Sequence, residues 1–244
     1  IMNYKLEVIA FTIESCKLIE HTGAQRIELC DNAGEGGTTP SYGFLKQARE
    51  TVSIDLYPMI RPRGGDFLYS NDEFEIMKKD VKLCKEIGCE GVVIGILNED
   101  GTVDKKRTAQ LIELAYPLGV TFHRAFDRVR DGFEALDTLI NIGCERILTS
   151  GLRSNVTEGI EVLTQLVNTA DDRIIIMPGS GVRSNNIAQL AKQTGATEFH
   201  TSARTTTASM MNYINSAMNE DLKSVIADEE EVSKTLEELR AIVN

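Results

Sequence analysis

The chain has 244 residues, with 26 Lys+Arg against 37 Asp+Glu, a net charge of -11, 42% hydrophobic residues and no Trp. This length and balance suit one large α/β domain or two small ones, and exclude disordered, collagen-like and coiled-coil chains. The acidic surplus argues against a nucleic-acid partner, whose phosphates need a basic face, and no apolar run nears the roughly 18 residues of a membrane span.

Along the chain, short apolar runs alternate with amphipathic stretches. Strands are predicted at residues 6–10, 26–30, 54–60, 91–94, 120–123, 146–149, 173–177 and 198–201. Helices are predicted near 13–20, 44–51, 72–87, 105–116, 132–142, 156–168 and 185–193, with a last one near 229–243. Four helices close on a Gly followed by Ala or Cys and lead straight into the next strand: Gly23-Ala24, Gly88-Cys89, Gly143-Cys144 and Gly195-Ala196. Glycine suits the residue after a helix because that position often needs positive φ. Strict strand–helix alternation implies parallel strands with right-handed crossovers. Eight such units of about 30 residues make a TIM-type (β/α)8 barrel, expected as a single domain over residues 2–244 with Met2 as the natural start. An open doubly wound sheet shares the alternation but rarely carries eight such even units.

The segment 205–228 is an irregular excursion before the last helix. Its Met210, Met211, Tyr213, Ile214 and Met218 are too apolar for a solvated loop. They are expected to pack over the barrel mouth or against a second subunit, and a non-catalytic interaction protein is one reading of them. The five cysteines (Cys16, Cys30, Cys84, Cys89, Cys144) are odd in number and form no CxxC pair, so they read as reduced thiols of a cytoplasmic protein.

Side chains alternate along a strand, and in a barrel the outward set packs beneath helices. Ile27, Leu29, Ile147 and Phe199 fit that outward set. Glu7, Arg26, Glu28, Thr121, His123, Arg146, Glu198 and His200 then point inward. Buried charges are costly unless paired. The expectation is an inner network of Arg26 and Arg146 with Glu7, Glu28 and Glu198.

Active sites of this architecture lie at the C-terminal ends of the strands. There His123 and His200, two of only three histidines, meet Glu28 and Asp66. Together the four could transfer protons, and the two imidazoles could also ligate a metal. Arg61, Arg63, Arg124, Ser150, Ser202 and the Gly179-Ser180-Gly181 turn form a candidate anion site for a phosphate- or carboxylate-bearing small molecule. Cys30 is the one cysteine at the mouth and the candidate soft metal ligand, with Met177, His123 and His200 able to add donors for Cu(I).

Several long motifs resemble the CutC family. They are Arg61-Pro-Arg-Gly-Gly-Asp-Phe67 with Tyr69-Ser70, Val120-Thr-Phe-His-Arg-Ala-Phe-Asp127 and Arg146-Ile-Leu-Thr-Ser-Gly151. Arg26-Ile-Glu-Leu-Cys30, Glu35-Gly-Gly-Thr-Thr-Pro40 and Glu198-Phe-His-Thr-Ser-Ala203 agree, so the resemblance spans residues 5–204. It implies a TIM-type barrel, cytoplasmic and homo-oligomeric (a homodimer or higher), that serves copper homeostasis by binding copper ion. The family is described with cysteines on the first strand as copper ligands. Here Leu6-Glu-Val-Ile-Ala-Phe11 has none, and Cys30 alone is kept. The residue chemistry carries the alternative of a barrel enzyme acting on a small anion.

Overall fold

The fold is described from a computed structural model, over residues 4–243. Eight strands run β1 (Lys5–Ala10), β2 (Arg26–Leu29), β3 (Asp55–Pro58), β4 (Gly91–Ile94), β5 (Gly119–Phe122), β6 (Arg146–Thr149), β7 (Ile175–Pro178) and β8 (Glu198–Thr201). Each is followed by a helix: α1 (Ile13–Thr22), α2 (Tyr42–Thr51), α3 (Asn71–Ile87), α4 (Lys105–Ala115), α5 (Gly132–Asn141), α6 (Ile160–Ala170), α7 (Ile187–Thr194) and α8 (Glu229–Val243). The strands pair in parallel in two four-stranded arcs, β3-β2-β1-β8 and β4-β5-β6-β7. At one seam a parallel bridge joins Met59 to Val93, and Ile60 N–H donates to Val93 O at 2.8 Å. At the other, β7 lies so close to β8 that a Cβ on Gly179 would stand 3.3 Å from the His200 Cβ. The result is a parallel α/β fold with its strands in barrel succession.

Local chemistry explains where the elements stop. The φ angles of Gly23, Gly88, Gly143 and Gly195 are 86°, 85°, 78° and 73°, the left-handed turn expected from their place in the sequence. A reciprocal capping box opens α3: Ser70 Oγ accepts from Glu73 N–H while the Glu73 carboxylate accepts from Ser70 N–H. From α3, Phe74, Met77, Val81 and Cys84 reach the main core, at helical spacing.

The alternation sorts the strand side chains as the sequence requires. Ile27, Leu29, Phe122, Ile147 and Phe199 lie in the large layer between strands and helices. A smaller apolar cluster of Ile9, Cys30, Tyr57, Met59 and Val93 fills the barrel interior. Tyr57 occupies the space left by two glycines, since a Cβ on Gly91 would stand 2.1 Å from its Cε1 and one on Gly119 2.3 Å from its hydroxyl.

After β8 the chain makes an antiparallel hairpin, β9 (Arg204–Thr207) with β10 (Ser224–Ala227). In the loop between them Met210, Met211, Tyr213, Ile214 and Met218 are exposed, so they do not pack onto the barrel of their own chain. Among the described residues, no helix is long and apolar enough to cross a membrane.

Candidate functional site in the barrel mouth

At the base of the barrel lies an ion-pair network. Arg26 Nε reaches Glu7 Oε2 at 2.5 Å, and its Nη2 reaches Glu198 Oε2 at 2.5 Å. Arg146 Nε shares that Glu198 oxygen at 2.7 Å and its Nη1 donates to Thr121 Oγ1 at 3.1 Å. Both guanidiniums also lie over the Tyr57 ring, at 5.0 and 5.4 Å. Burial opposes ionisation of Glu198, but Arg146 and Arg26 hold its carboxyl below the usual range. Arg26 also donates to Met177 Sδ at 3.4 Å, which engages that thioether beneath the mouth instead of offering it to a metal.

Glu28 departs from the expected network: it forms no ion pair with either arginine and stands one tier higher, paired in register with Ile9 and Tyr57. There it meets His200, Glu7 and Cys30. One donor atom each from Glu7, Glu28 and His200 lies within 4.8 Å of the others. His200 Nδ1 is 2.7 Å from Glu7 Oε1, while its Nε2 faces Glu28 Oε2 at 3.9 Å. Burial alone would raise the Glu7 carboxyl, but Arg26 and the bond to His200 bring it down to about 2. Glu28 has no such support. Burial pushes its carboxyl up to about 7, with His200 opposing and the Glu7 charge adding, and its Oε1 has no hydrogen-bond partner. His200 is raised above its ordinary value: burial opposes this, but the Glu28 charge and the Glu7 bond outweigh it. Burial and then the neighbouring Glu28 keep the Cys30 thiol protonated, well above the usual range.

His123 sits on the other side of the mouth, apart from that cluster. Its ring lies over Gly95, where a Cβ would stand 2.3 Å from the imidazole Cε1. Nδ1 accepts from Ala125 N–H at 3.0 Å, and the ring centroid is 4.8 Å from that of Phe67. Burial and then the Arg61 charge push its pKa down to about 3, so the imidazole stays neutral. That removes it as a base near neutral pH and leaves Nε2–H as a donor.

Of the expected anion residues, Arg61 and Arg124 border one cleft, and each is also engaged by protein acceptors. Arg61 is buried, and its Nη1 and Nη2 donate to three backbone carbonyls, Glu35 O, Gly37 O and Gly65 O, at 2.7, 2.9 and 2.7 Å. Arg63 is tied to Glu73 and Asp66 near the start of α3, and Asp66 itself, with 72% of its side chain exposed, lies outside the Glu28–His200 cluster. Arg124 joins Asp127 and Ser150 at 2.7 and 2.9 Å, while Asp127 Oδ1 and Oδ2 also accept from Ser150 N–H. In the Gly179-Ser180-Gly181 turn, Ser180 Oγ donates to Ser154 O at 3.2 Å and Gly181 O accepts from Asn186. Ser202 faces Arg183 at 3.3 Å, a basic residue the sequence reading did not single out. Glu7, expected as the network member nearer the mouth with Glu28, is joined to the mouth cluster by its 2.7 Å bond to His200.

Comparison with known proteins follows the same lines. The CutC family pattern matches residues 4–205. The family protein CutC of Chromobacterium violaceum is 52% identical over 212 residues, covering 87% of this chain and 86% of its own. The copper homeostasis protein cutC homolog of Homo sapiens is 47% identical over 215 residues, 88% of this chain and 79% of its own. The crystal structure of CutC from Streptococcus agalactiae superposes with a TM-score of 0.78 at 34% identity, over 81% of this chain and 98% of that one. A thiamine phosphate pyrophosphorylase from Pyrococcus furiosus shares the fold alone, with a TM-score of 0.62 at 16% identity over 99% of this chain and 98% of its own. Motifs, strand order and relatives agree, and the chain belongs to the CutC family.

Proposed function

We propose that this protein binds a copper ion in the barrel mouth as its cargo in copper homeostasis, with His200, Glu28 and Cys30 as the protein ligands. The observation that carries the reading is the buried Glu7–Glu28–His200 cluster, whose donor atoms lie within 4.8 Å of one another, with Glu28 Oε1 left without a hydrogen-bond partner. The human and mouse relatives and the Streptococcus agalactiae structure are named for copper homeostasis, whereas the names of the Chromobacterium violaceum and Parabacteroides distasonis relatives state the family alone.

The donors fit a cation with an order among them. Glu7 already accepts from Arg26 and His200, so it orients the imidazole and leaves Nε2 free for the ion. Glu28 brings a carboxylate that the ion would strip of its proton, and Cys30 brings the one soft atom. Cys30 is the soft donor that Cu(I), the ion of a reducing compartment, prefers, while the imidazole and the carboxylate also accept Cu(II). With five buried free thiols, we place the protein in the reducing cytoplasm, and the exposed apolar loop 208–223 supports a homo-oligomer there.

The test is Cu(II) titration of the metal-free protein, followed by calorimetry and electron paramagnetic resonance. One ion per chain, with a nitrogen-coupled signal lost in His200→Ala and weakened in Glu28→Gln, is expected. Absence of stoichiometric binding, or binding indifferent to both substitutions, would overturn the assignment.

A further inference from the structure

Five buried side-chain polar atoms lack a hydrogen-bond partner among the described residues, and three gather on the side of the mouth away from His200: Arg61 Nε, Tyr69 OH and His123 Nε2. Arg61 and His123 both project inward, from the ends of β3 and β5, with only the bare Gly95 of β4 between them. Phe67 connects them from above, 5.0 Å from the Arg61 guanidinium carbon and 4.8 Å from the His123 ring centre. The Tyr69 hydroxyl lies beside Arg61, close enough for that charge and a loose hydrogen bond from the guanidinium to act on it.

We propose that this corner of the mouth is a binding site for a small carboxylate, with Arg61 Nε–H and His123 Nε2–H as its two donors and Phe67 as its roof. The site is distinct from the copper ligands and stands whether or not they take copper.

Three features carry it. The first is charge. Arg61 is buried, yet among the described residues no carboxylate forms an ion pair with it; its partners are three neutral carbonyls. A buried guanidinium in that position is short of one negative charge, and a monoanion supplies it. The second is donor geometry. His123 Nδ1 accepts from Ala125 N–H, which places the ring proton on Nε2, and that N–H has no acceptor. Leaving a buried donor unmatched is costly, so two of them against the same Phe67 ring mark the place of a missing oxygen. The third is access. A cleft of about 750 Å³, bordered by Arg61, Phe67, Leu68, Leu97 and Arg124, reaches the Arg61 and Phe67 side of this corner, with His123 behind Phe67. Of the acids at its rim, Glu35 accepts from Gly65 N–H and Asp66 is held by Arg63, while Glu99 lies further out beside Leu97 and Asn98.

A carboxylate fits better than a phosphate. There is one uncompensated positive charge to meet, the second donor is a neutral imidazole, and Glu28 and Glu7 stand across the mouth to repel a dianion. A planar group also suits two N–H donors beneath an aromatic face.

The test uses the whole chain, labelled with 15N-histidine and held in EDTA so that metal binding cannot contribute. Acetate is the probe, raised to on the order of 100 mM, ample for a millimolar site, with sodium chloride at matched ionic strength as control. The expected result is a saturable downfield shift of the His123 Nε2 proton with acetate alone. His123→Leu should weaken acetate binding, followed by calorimetry, about tenfold or more, since a hydrogen bond to a charged group is lost. His123→Gln, which can restore an N–H in nearly the same place, should recover part of it. Arg61 also staples two loops, those after β2 and β3, so Arg61→Lys is informative only when its circular dichroism matches the wild type, and Phe67→Ala serves as the second variant. A flat acetate titration, an equal response to chloride, or binding unchanged in both His123→Leu and Phe67→Ala would overturn the proposal.

Discussion

His200 gives its Nδ1 to Glu7 Oε1 at 2.7 Å, and this one bond decides which imidazole nitrogen faces the mouth. Because Glu7 stays ionised beside Arg26, His200 Nδ1–H is the donor and Nε2 is left to act on whatever enters. Glu7→Gln should therefore lower copper affinity by about 10–100-fold without removing a ligand, as loss of an orienting partner does elsewhere. Competition titration against a chelator of known affinity reads that change. An unaltered affinity would mean that Glu7 has no orienting role.

The barrel base predicts a stability effect. Glu198 Oε2 takes both Arg26 Nη2 and Arg146 Nε, at 2.5 and 2.7 Å, so one oxygen bridges two buried guanidiniums, whose second carboxylates are Glu7 and Glu145. Glu198→Gln keeps the shape and removes the charge. The expected loss is about 3–5 kcal/mol, the range for breaking a buried pair from one side. Urea unfolding of the two proteins at neutral pH gives the difference directly.

His123 predicts a pH dependence of definite sign. Its folded pKa is about 3 against an ordinary 6.5, so between those values the unfolded chain binds a proton that the folded chain refuses. Its contribution is full above pH 6.5 and is lost as pH falls towards 3. Glu28 acts in the opposite sense: raised from 4.5 to about 7, it costs stability as pH rises through that window. Comparing His123→Leu with the wild type cancels the Glu28 effect. The variant should lose less stability than the wild type between pH 7 and pH 5, measured as the shift in urea midpoint.

Gly95 is bare because the His123 ring needs its space. Gly95→Ala would put a Cβ 2.3 Å from His123 Cε1 and 2.9 Å from the Ala125 Cβ. Overpacking of this kind costs about 1–3 kcal/mol or more. In a double-mutant cycle, His123→Ala should relieve part of that loss, because the imidazole is the nearer neighbour. Strict additivity would show that the two residues do not compete for the space.

What was legible in the sequence was whatever periodicity controls. A strand has only two faces, so Ile27 outward made Glu28 inward, and each of the eight strands overlaps its predicted segment. The capping glycines were equally readable, since positive φ at Gly23 or Gly88 is a local demand. Partnerships were not. Arg61 is satisfied by the carbonyls of Glu35, Gly37 and Gly65, and a carbonyl acceptor leaves no mark on residue type. Asp66 looked like a mouth carboxylate by position, but Arg63 and the capping residue Glu73 draw that loop outward to α3. Parity and position on the strand placed Glu28 inside the barrel near the mouth with His200, but could not tell that it forms no ion pair with Arg26 or Arg146. The β9–β10 hairpin was missed because Arg204–Thr207 is exposed throughout and shows no alternation to read.

The Tyr57 ring has one more consequence. It rests against Gly91 and Gly119, with its hydroxyl 3.4 Å from Glu145 Oε2 and two guanidiniums over its ring. That plug makes the interior a cul-de-sac. Anything that reaches Glu28 and His200 enters and leaves by one doorway, so an ion cannot be relayed through the barrel from one end to the other. Delivery and collection must share the rim formed by the loops after the strands, and two clients of this protein would have to take turns at it.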